Sequence, residues 1–314
     1  MIEPNRRAHP TILSQRMPGV GRELFPGFEL SVVDTGEATL RVRHGGNGPP
    51  LLLLHGHPQT HLMWHAVAPG LADRFTVVAP DLRGYGESTK PETTPDHEPY
   101  SKRAMARDQV ELMRQYGFER FFVCGHDRGA RCAYRLTLDH PESVAKLAVL
   151  DIVPTGDAFR LADMRFGLAY WHWFFLAQPD GLAERMIGAD PDAFYFRQRY
   201  QAHDLFAPEA LEDYLRCARR PETIHAMCED YRAGATIDFA LDEADRGKKR
   251  IACPVLVLWG GRGKLGELYD DVLGIWRGWA DDVSGRALDC GHFLAEEKPD
   301  ETLAELLAFF QGSR

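Results

Sequence analysis

A carboxylate set on a sharp turn between a strand and a helix can do covalent chemistry. Phe121-Phe122-Val123-Cys124 is an apolar run, and Ala130-Arg131-Cys132-Ala133-Tyr134-Arg135-Leu136 reads as a helix. Between them lies Gly125-His126-Asp127-Arg128-Gly129. Glycines at 125 and 129 let the backbone turn tightly and let neighbouring segments approach. An Asp carboxylate is a weak nucleophile toward a carbonyl carbon, but it can displace a leaving group from saturated carbon and form an ester. Alkyl halides and epoxides fit that chemistry better than esters or peptides. An Asp at a helix start can also be an ordinary N-cap, so the turn acquires a catalytic meaning only from its company.

That company is present. An ester intermediate needs a base that activates water, and His292, in Gly291-His292-Phe293 ahead of a C-terminal helix, is placed to supply it. Arg128 and Arg131 sit at the start of the helix after Asp127, where the macrodipole disfavours cations by about 0.3–1 kcal/mol each. Three residues apart, they share one helical face. Two guanidinium forks there suit a bound carboxylate, although pairing with local acids such as Asp139 or with a Glu of the segment between Pro154 and Gly247 is the plainer alternative.

The bulk properties narrow the class. The 314 residues suit one large α/β domain or a core with an inserted lid. A formal net charge of −9 argues against generic nucleic-acid or anionic-membrane binding. The six cysteines show neither a C-x-x-C pair nor metal-ligand spacing, as expected of reduced thiols in a cytoplasmic protein. Met1–Arg7 lacks the apolar stretch of a signal peptide, and no run approaches the ~18 apolar residues of a membrane span. No metal, flavin or nicotinamide site is indicated, so no cofactor is expected and water is the only cosubstrate.

Short apolar runs separated by helical patterns predict a mainly parallel sheet. The clearest are Leu51–Leu54, Thr76–Ala79, Phe121–Cys124, Leu147–Leu150 and Val255–Leu258; Phe28–Val33 and Thr39–Arg43 predict an opening antiparallel pair around Thr35-Gly36. Helices are predicted over His61–Ala72, Tyr100–Tyr116, Ala130–His140 and Pro299–Phe310. Between Pro154 and about Gly247 the strand rhythm stops and the chain becomes rich in Trp, Tyr, Phe and Arg with helical spacing.

This order is that of the α/β-hydrolase fold, with Asp127 on its nucleophile elbow. The expectation is a mostly parallel eight-stranded sheet with helices on both faces and an inserted helical cap: core over residues 1–154, cap over 155–247, core again over 248–314. The acid that orients His292 lies after one of two strands in this fold. Leu258-Trp259-Gly260-Gly261-Arg262-Gly263 puts Gly where W-G-x-x-D would put Asp, whereas Leu147–Leu150 ends on Asp151. Asp151 is therefore the predicted acid. His55-Gly56-His57-Pro58 matches the H-G-x-P turn, which predicts an oxyanion hole from the backbone N–H groups of His57 and Arg128.

Over most of its length the chain resembles the fluoroacetate (haloacetate) dehalogenases of this superfamily. The resemblance rests on H-G-x-P-Q-T-H-x-M-W-H at His55–His65, on Asp81-Leu82-Arg83-Gly84-Tyr85-Gly86 and on His126-Asp127-Arg128-Gly129-Ala130-Arg131. It continues in Trp171-His172-Trp173, Met227–Gly234 and Gly291-His292-Phe293-Leu294. It implies hydrolytic dehalogenation of a short 2-haloacid, haloacetate or fluoroacetate, to the hydroxy acid. Asp127 would attack the α-carbon, His292 with Asp151 would activate water, and Arg128 and Arg131 would hold the carboxylate. His172, Trp173 and Tyr231 would donate to the departing halide, and a homodimer is implied. The chain departs from the pattern at Pro154-Thr155-Gly156-Asp157-Ala158, which lacks tyrosines, and between Phe194 and Tyr214, where Tyr200 or Phe206 replaces an expected Trp. Both changes touch pocket shape and leave the halogen open. An epoxide hydrolase with the same Asp, His and Asp is the rival, with His172 and Tyr231 as donors to the oxygen. A neutral epoxide has no use for two buried Arg. A non-catalytic binding module is disfavoured because all three catalytic positions are filled.

Overall fold

The apolar runs assemble into one eight-stranded sheet in the computed structural model, which describes residues 21, 23–197 and 205–312. The strands are β1 (Glu29–Asp34), β2 (Thr39–Gly45), β3 (Pro50–Leu54), β4 (Thr76–Pro80), β5 (Phe121–His126), β6 (Val144–Leu150), β7 (Val255–Gly260) and β8 (Val283–Leu288). Their spatial order is β1-β2-β4-β3-β5-β6-β7-β8. β2 runs antiparallel to both neighbours, and every other pairing is parallel. Leu51–Leu54 and Leu147–Leu150 are fully buried, as central parallel strands covered on both faces require. Two groups of helices cover the sheet: Lys102–Gln115 with Arg128–Asp139, and Ala68–Ala72 with Pro299–Gln311.

Three local outcomes differ from the sequence pattern. His61–Ala72 is not one helix but a 3-10 turn, His61–Trp64, followed by the helix Ala68–Ala72. Pro69 suits a first helical turn and clashes with the carbonyl four residues back, so a new helix starts there. Second, the helix predicted from Tyr100 begins at Lys102, where the Ser101 hydroxyl accepts the Ala104 N–H at 3.1 Å. Third, β8 has no apolar run. Its residues alternate between half-buried and exposed at the sheet edge, and only Leu288 is fully buried.

Among the described residues no strand lies between β6 and β7. Short helices fill the gap, from Thr155–Arg160 through Trp171–Leu176, Pro208–Ala218 and Pro221–Ala233 to Phe239–Asp245. Buried ion pairs tie this insert to the core. Arg135 holds Asp242 at 2.8 Å and Asp245 at 2.6 Å, and the Tyr134 hydroxyl donates to Asp242 at 2.7 Å. Asp230 binds Arg128 at 2.6 Å, accepts from the Tyr85 hydroxyl at 2.7 Å and pairs with Lys102. Among the described residues no helix is long and apolar enough to cross a membrane.

Candidate active site

Asp127 stands between β5 and the helix Arg128–Asp139 with φ 48° and ψ −118°. A non-glycine residue held there is strained by about 1–3 kcal/mol, and the surrounding packing enforces it. A Cβ at Gly129 would lie 2.3 Å from the His55 carbonyl oxygen, and one at Gly125 2.5 Å from that of Gly129. Only glycine permits β3, β5 and the helix to meet this closely, which sets Asp127 at the C-terminal end of the central strand β5. Asp151, at the end of β6, also has positive φ, at 56°.

The predicted catalytic side chains converge. Asp151 Oδ2 lies 2.6 Å from His292 Nδ1, and its Oδ1 accepts the Gly260 N–H at 2.9 Å. Gly263 closes a turn through its N–H to the Gly260 carbonyl at 3.0 Å, so the position after β7 carries no acid. The His57 N–H donates to Asp127 Oδ1 at 2.8 Å. Arg128 opens the helix, so its amide is one of the first-turn N–H groups without a helical acceptor. Burial works to raise the Asp127 carboxyl, but the nearby His292, His126, Arg128 and Arg131 outweigh it and hold it well below the usual carboxylate range. Asp127 is thus ionised throughout the neutral range.

One contributor escaped the sequence reading. His126 Nε2 lies 2.8 Å from the His292 carbonyl oxygen, and the two rings are 4.5 Å apart. Burial, reinforced by His292, lowers His126 to about 4, so it is neutral and can donate a hydrogen bond without adding charge. Its adjacency to Asp127 was the available signal.

The two arginines behave differently. Arg128 turns its Nε and Nη2 onto the Asp230 carboxylate, at 2.9 and 2.6 Å, with Nη2 also 2.6 Å from the Asp230 carbonyl oxygen. The carboxylate partner weighed in the sequence thus exists and comes from the insert, as an Asp where a Glu was expected, and not from Asp139. Tyr231, the next residue, lies with its ring 4.3 Å from the Arg128 guanidinium. Arg128 therefore fixes the helix that presents Tyr231. Arg131 donates Nη1 to the Val153 carbonyl (3.1 Å) and the Thr155 hydroxyl (3.0 Å), lies 4.5 Å from the Trp173 ring, and leaves a buried Nε without a partner.

A cavity of about 330 Å³ opens over Asp127, lined also by Asp151, His292 and His57 and, from the insert, by His172, Trp173 and Tyr231. Arg128 and Arg131 lie behind this wall. Tyr170, Trp171, Leu168 and Lys264 complete much of the lining; of these only Trp171 was quoted in the sequence, and without a role. Tyr170 and Trp171 adjoin the His172-Trp173 pair, which was signal enough; Lys264 gave none. Phe206 is buried against Phe196, Tyr214 and Phe293 and does not line the cavity, and Tyr200 lies outside the described residues. Among the described residues no group of three or more His, Cys, Asp or Glu side chains is arranged to hold a metal ion.

Similarity to known proteins agrees with this geometry. Residues 49–299 match the family described as the α/β-hydrolase fold. The chain is 49% identical to a fluoroacetate dehalogenase of Burkholderia sp., over 93% of its own length and 96% of that protein's. It is 35% identical to a soluble epoxide hydrolase of Corynebacterium sp. (strain C12), over 86% and 92%. The crystal structure of an α/β hydrolase from Nostoc sp. PCC 7120 superposes with a TM-score of 0.89 at 55% identity, covering 91% of this chain and 99% of that one. The chain belongs to the α/β-hydrolase superfamily and, within it, to the fluoroacetate (haloacetate) dehalogenase family.

Proposed function

We propose that this enzyme hydrolyses the carbon–halogen bond of a short 2-haloacid, haloacetate and fluoroacetate included, and releases the hydroxy acid, halide and a proton. The carrying observation is one cavity that joins an ionised Asp127, the His292–Asp151 pair and three insert donors. With Oδ1 held by the His57 N–H, Asp127 Oδ2 attacks the α-carbon, and the halide leaves with the bonding pair. His172, Trp173 and Tyr231 donate to the halide as its charge develops, which matters most for fluoride, a poor leaving group. His292, oriented by Asp151, then takes a proton from water, which attacks the Asp127 ester carbon. The oxyanion forms where the His57 and Arg128 amides can receive it. We read residues 155–247 as the cap that closes this cavity from water.

An anionic substrate is supported by Arg131, whose unpartnered Nε is buried on the first turn of the helix that follows Asp127. The epoxide reading remains the rival, with His172 and Tyr231 as donors. The deciding experiment measures halide release and acidification from fluoro-, chloro- and bromoacetate, with styrene oxide in parallel. Turnover of the epoxide alone would reject the haloacid reading.

The two arginines are expected to separate on mutation. Arg131→Met should lower kcat/KM for haloacetate by about 10²-fold, because a charge-assisted fork is worth about 1.5–3 kcal/mol, and should lower Tm moderately, because the Val153 carbonyl and the Thr155 hydroxyl lose their donor. Arg128→Met should also lower Tm sharply, since a buried Asp230 left without its main partner costs about 3–5 kcal/mol. Parental kinetics in Arg131→Met would remove the carboxylate clamp.

We further propose a cytoplasmic homodimer. All six cysteines are free thiols, which suits a reducing compartment, and cell fractionation checks the assignment. The seven exposed large apolar side chains of the described residues all lie between Leu161 and Met186. A segment that exposes so many apolar side chains suits a second copy of the chain. Light scattering should give twice the chain mass, falling to one in Met164→Glu/Met186→Glu; a monomeric parent rejects the dimer.

A further inference from the structure

Lys264 has no part in the scheme above, yet it faces the same cavity. It begins the helix Lys264–Leu268 beyond β7, which packs against the helix that ends at Ala169, and lines the cavity together with Leu168, Ala169 and Trp171 of the insert. It is the only Lys or Arg among the described residues lining that cavity. Its one ion pair is to Glu267, Nζ to Oε2 at 2.8 Å, with side chains 53% and 59% exposed. An exposed pair on two flexible stems holds its members weakly. Lys264 can therefore leave Glu267 for a ligand anion at little cost. Asp127, by contrast, is 8% exposed, so Lys264 marks the mouth and Asp127 the floor.

Size gives the second argument. At about 30 Å³ per water, the cavity of about 330 Å³ holds the volume of roughly eleven waters. A haloacetate has about five non-hydrogen atoms and displaces roughly three or four of those waters. Several further atoms therefore fit between the reacting carbon and the mouth. The wall along that path is Tyr170, Trp171 and Leu168, which suits methylene groups, and its outer end is cationic.

We propose that the cavity takes a halogenated dicarboxylic acid, with the inner carboxylate toward Arg131 and the outer one on Lys264. This rests on the haloacid reading above. The reaction keeps its balance: Asp127 forms the ester as the halide departs with the bonding pair. Water then restores Asp127 and gives a hydroxy dicarboxylate, halide and one proton. Lys264 is a specificity-determining residue, remote from the broken bond, so its effect falls on KM and not on kcat.

The test compares chlorosuccinate, 2-chlorobutyrate and chloroacetate on the parent, Lys264→Gln and Lys264→Arg, at low and high salt. In the parent, kcat/KM for chlorosuccinate should exceed that for 2-chlorobutyrate by about two- to fivefold, and salt should shrink the gap. Lys264→Gln should erase the gap through KM while leaving kcat on chloroacetate unchanged, and Lys264→Arg should restore it. Equal or poorer use of the dicarboxylate by the parent, or a preference that survives Lys264→Gln, overturns the inference while chloroacetate turnover upholds the haloacid reading. Turnover of none of the three acids overturns both.

Discussion

Asp127→Asn is expected to abolish turnover of every haloacid while leaving the fold and substrate binding in place. The amide is nearly isosteric and keeps an oxygen for the His57 N–H, which now meets Oδ1 at 2.8 Å. What it loses is the negative charge and lone pair that attack carbon. Removing a covalent nucleophile costs roughly 10⁴–10⁶-fold in kcat, because nothing else in the site can form the intermediate. Direct calorimetry should still detect haloacetate binding to the variant. Residual activity near the parental level would mean that water attacks the substrate directly. The depressed ionisation of Asp127 adds a further point: its carboxylate persists on acidification to below the ordinary carboxylate range. A loss of rate on mild acidification therefore does not come from protonation of the nucleophile.

The second large effect separates the two halves of the reaction. His292→Gln leaves Asp127, its His57 contact and the halide donors intact, so the first step should proceed. Hydrolysis of the ester should stall by about 10²–10⁴-fold, the usual contribution of a general base. Chloroacetate should then give a burst of one halide per site and little more. Mass spectrometry of the intact protein should find it heavier by one carboxymethyl group, on the peptide holding Asp127. Steady halide release without a burst or adduct would contradict the covalent scheme. Asp151→Asn should show a milder form of the same stall, because Asp151 orients His292 through the 2.6 Å contact without touching substrate.

Much of this site was readable before any coordinates. The elbow announced itself because its chemistry and its backbone demands fall in one short stretch: a nucleophile flanked by the two glycines that close approach requires. The same held for Asp151, found by noticing the glycine at 263 where the alternative acid would stand. The central strands were legible because burial on both faces leaves continuous apolar runs, as in Leu51–Leu54. β8 was not, because an edge strand half open to water keeps no such run. The break at Pro69 was also written in the sequence, and the longer amphipathic pattern obscured it.

Arg128 shows where sequence reasoning reaches its limit. Two cations on the opening turn of a helix make sense if an anion meets them, and the chain alone raised that expectation. It could not say which anion, because the choice depends on what the insert brings across. Folding places Asp230 against Arg128 and leaves Arg131 with a buried, unpartnered Nε. Residues a hundred positions apart meet only through packing, so their partnership leaves no local trace. Lys264 is the same lesson in reverse, an unremarked surface-type residue that becomes part of a cavity wall because β7 ends beside the insert. Sequence by itself marked Asp127, His292 and Asp151 as candidates, since each stands in its own short motif at the end of a strand. Tertiary structure alone decided how the charges pair and what the cavity can admit, since electrostatic partners are chosen by distance in space.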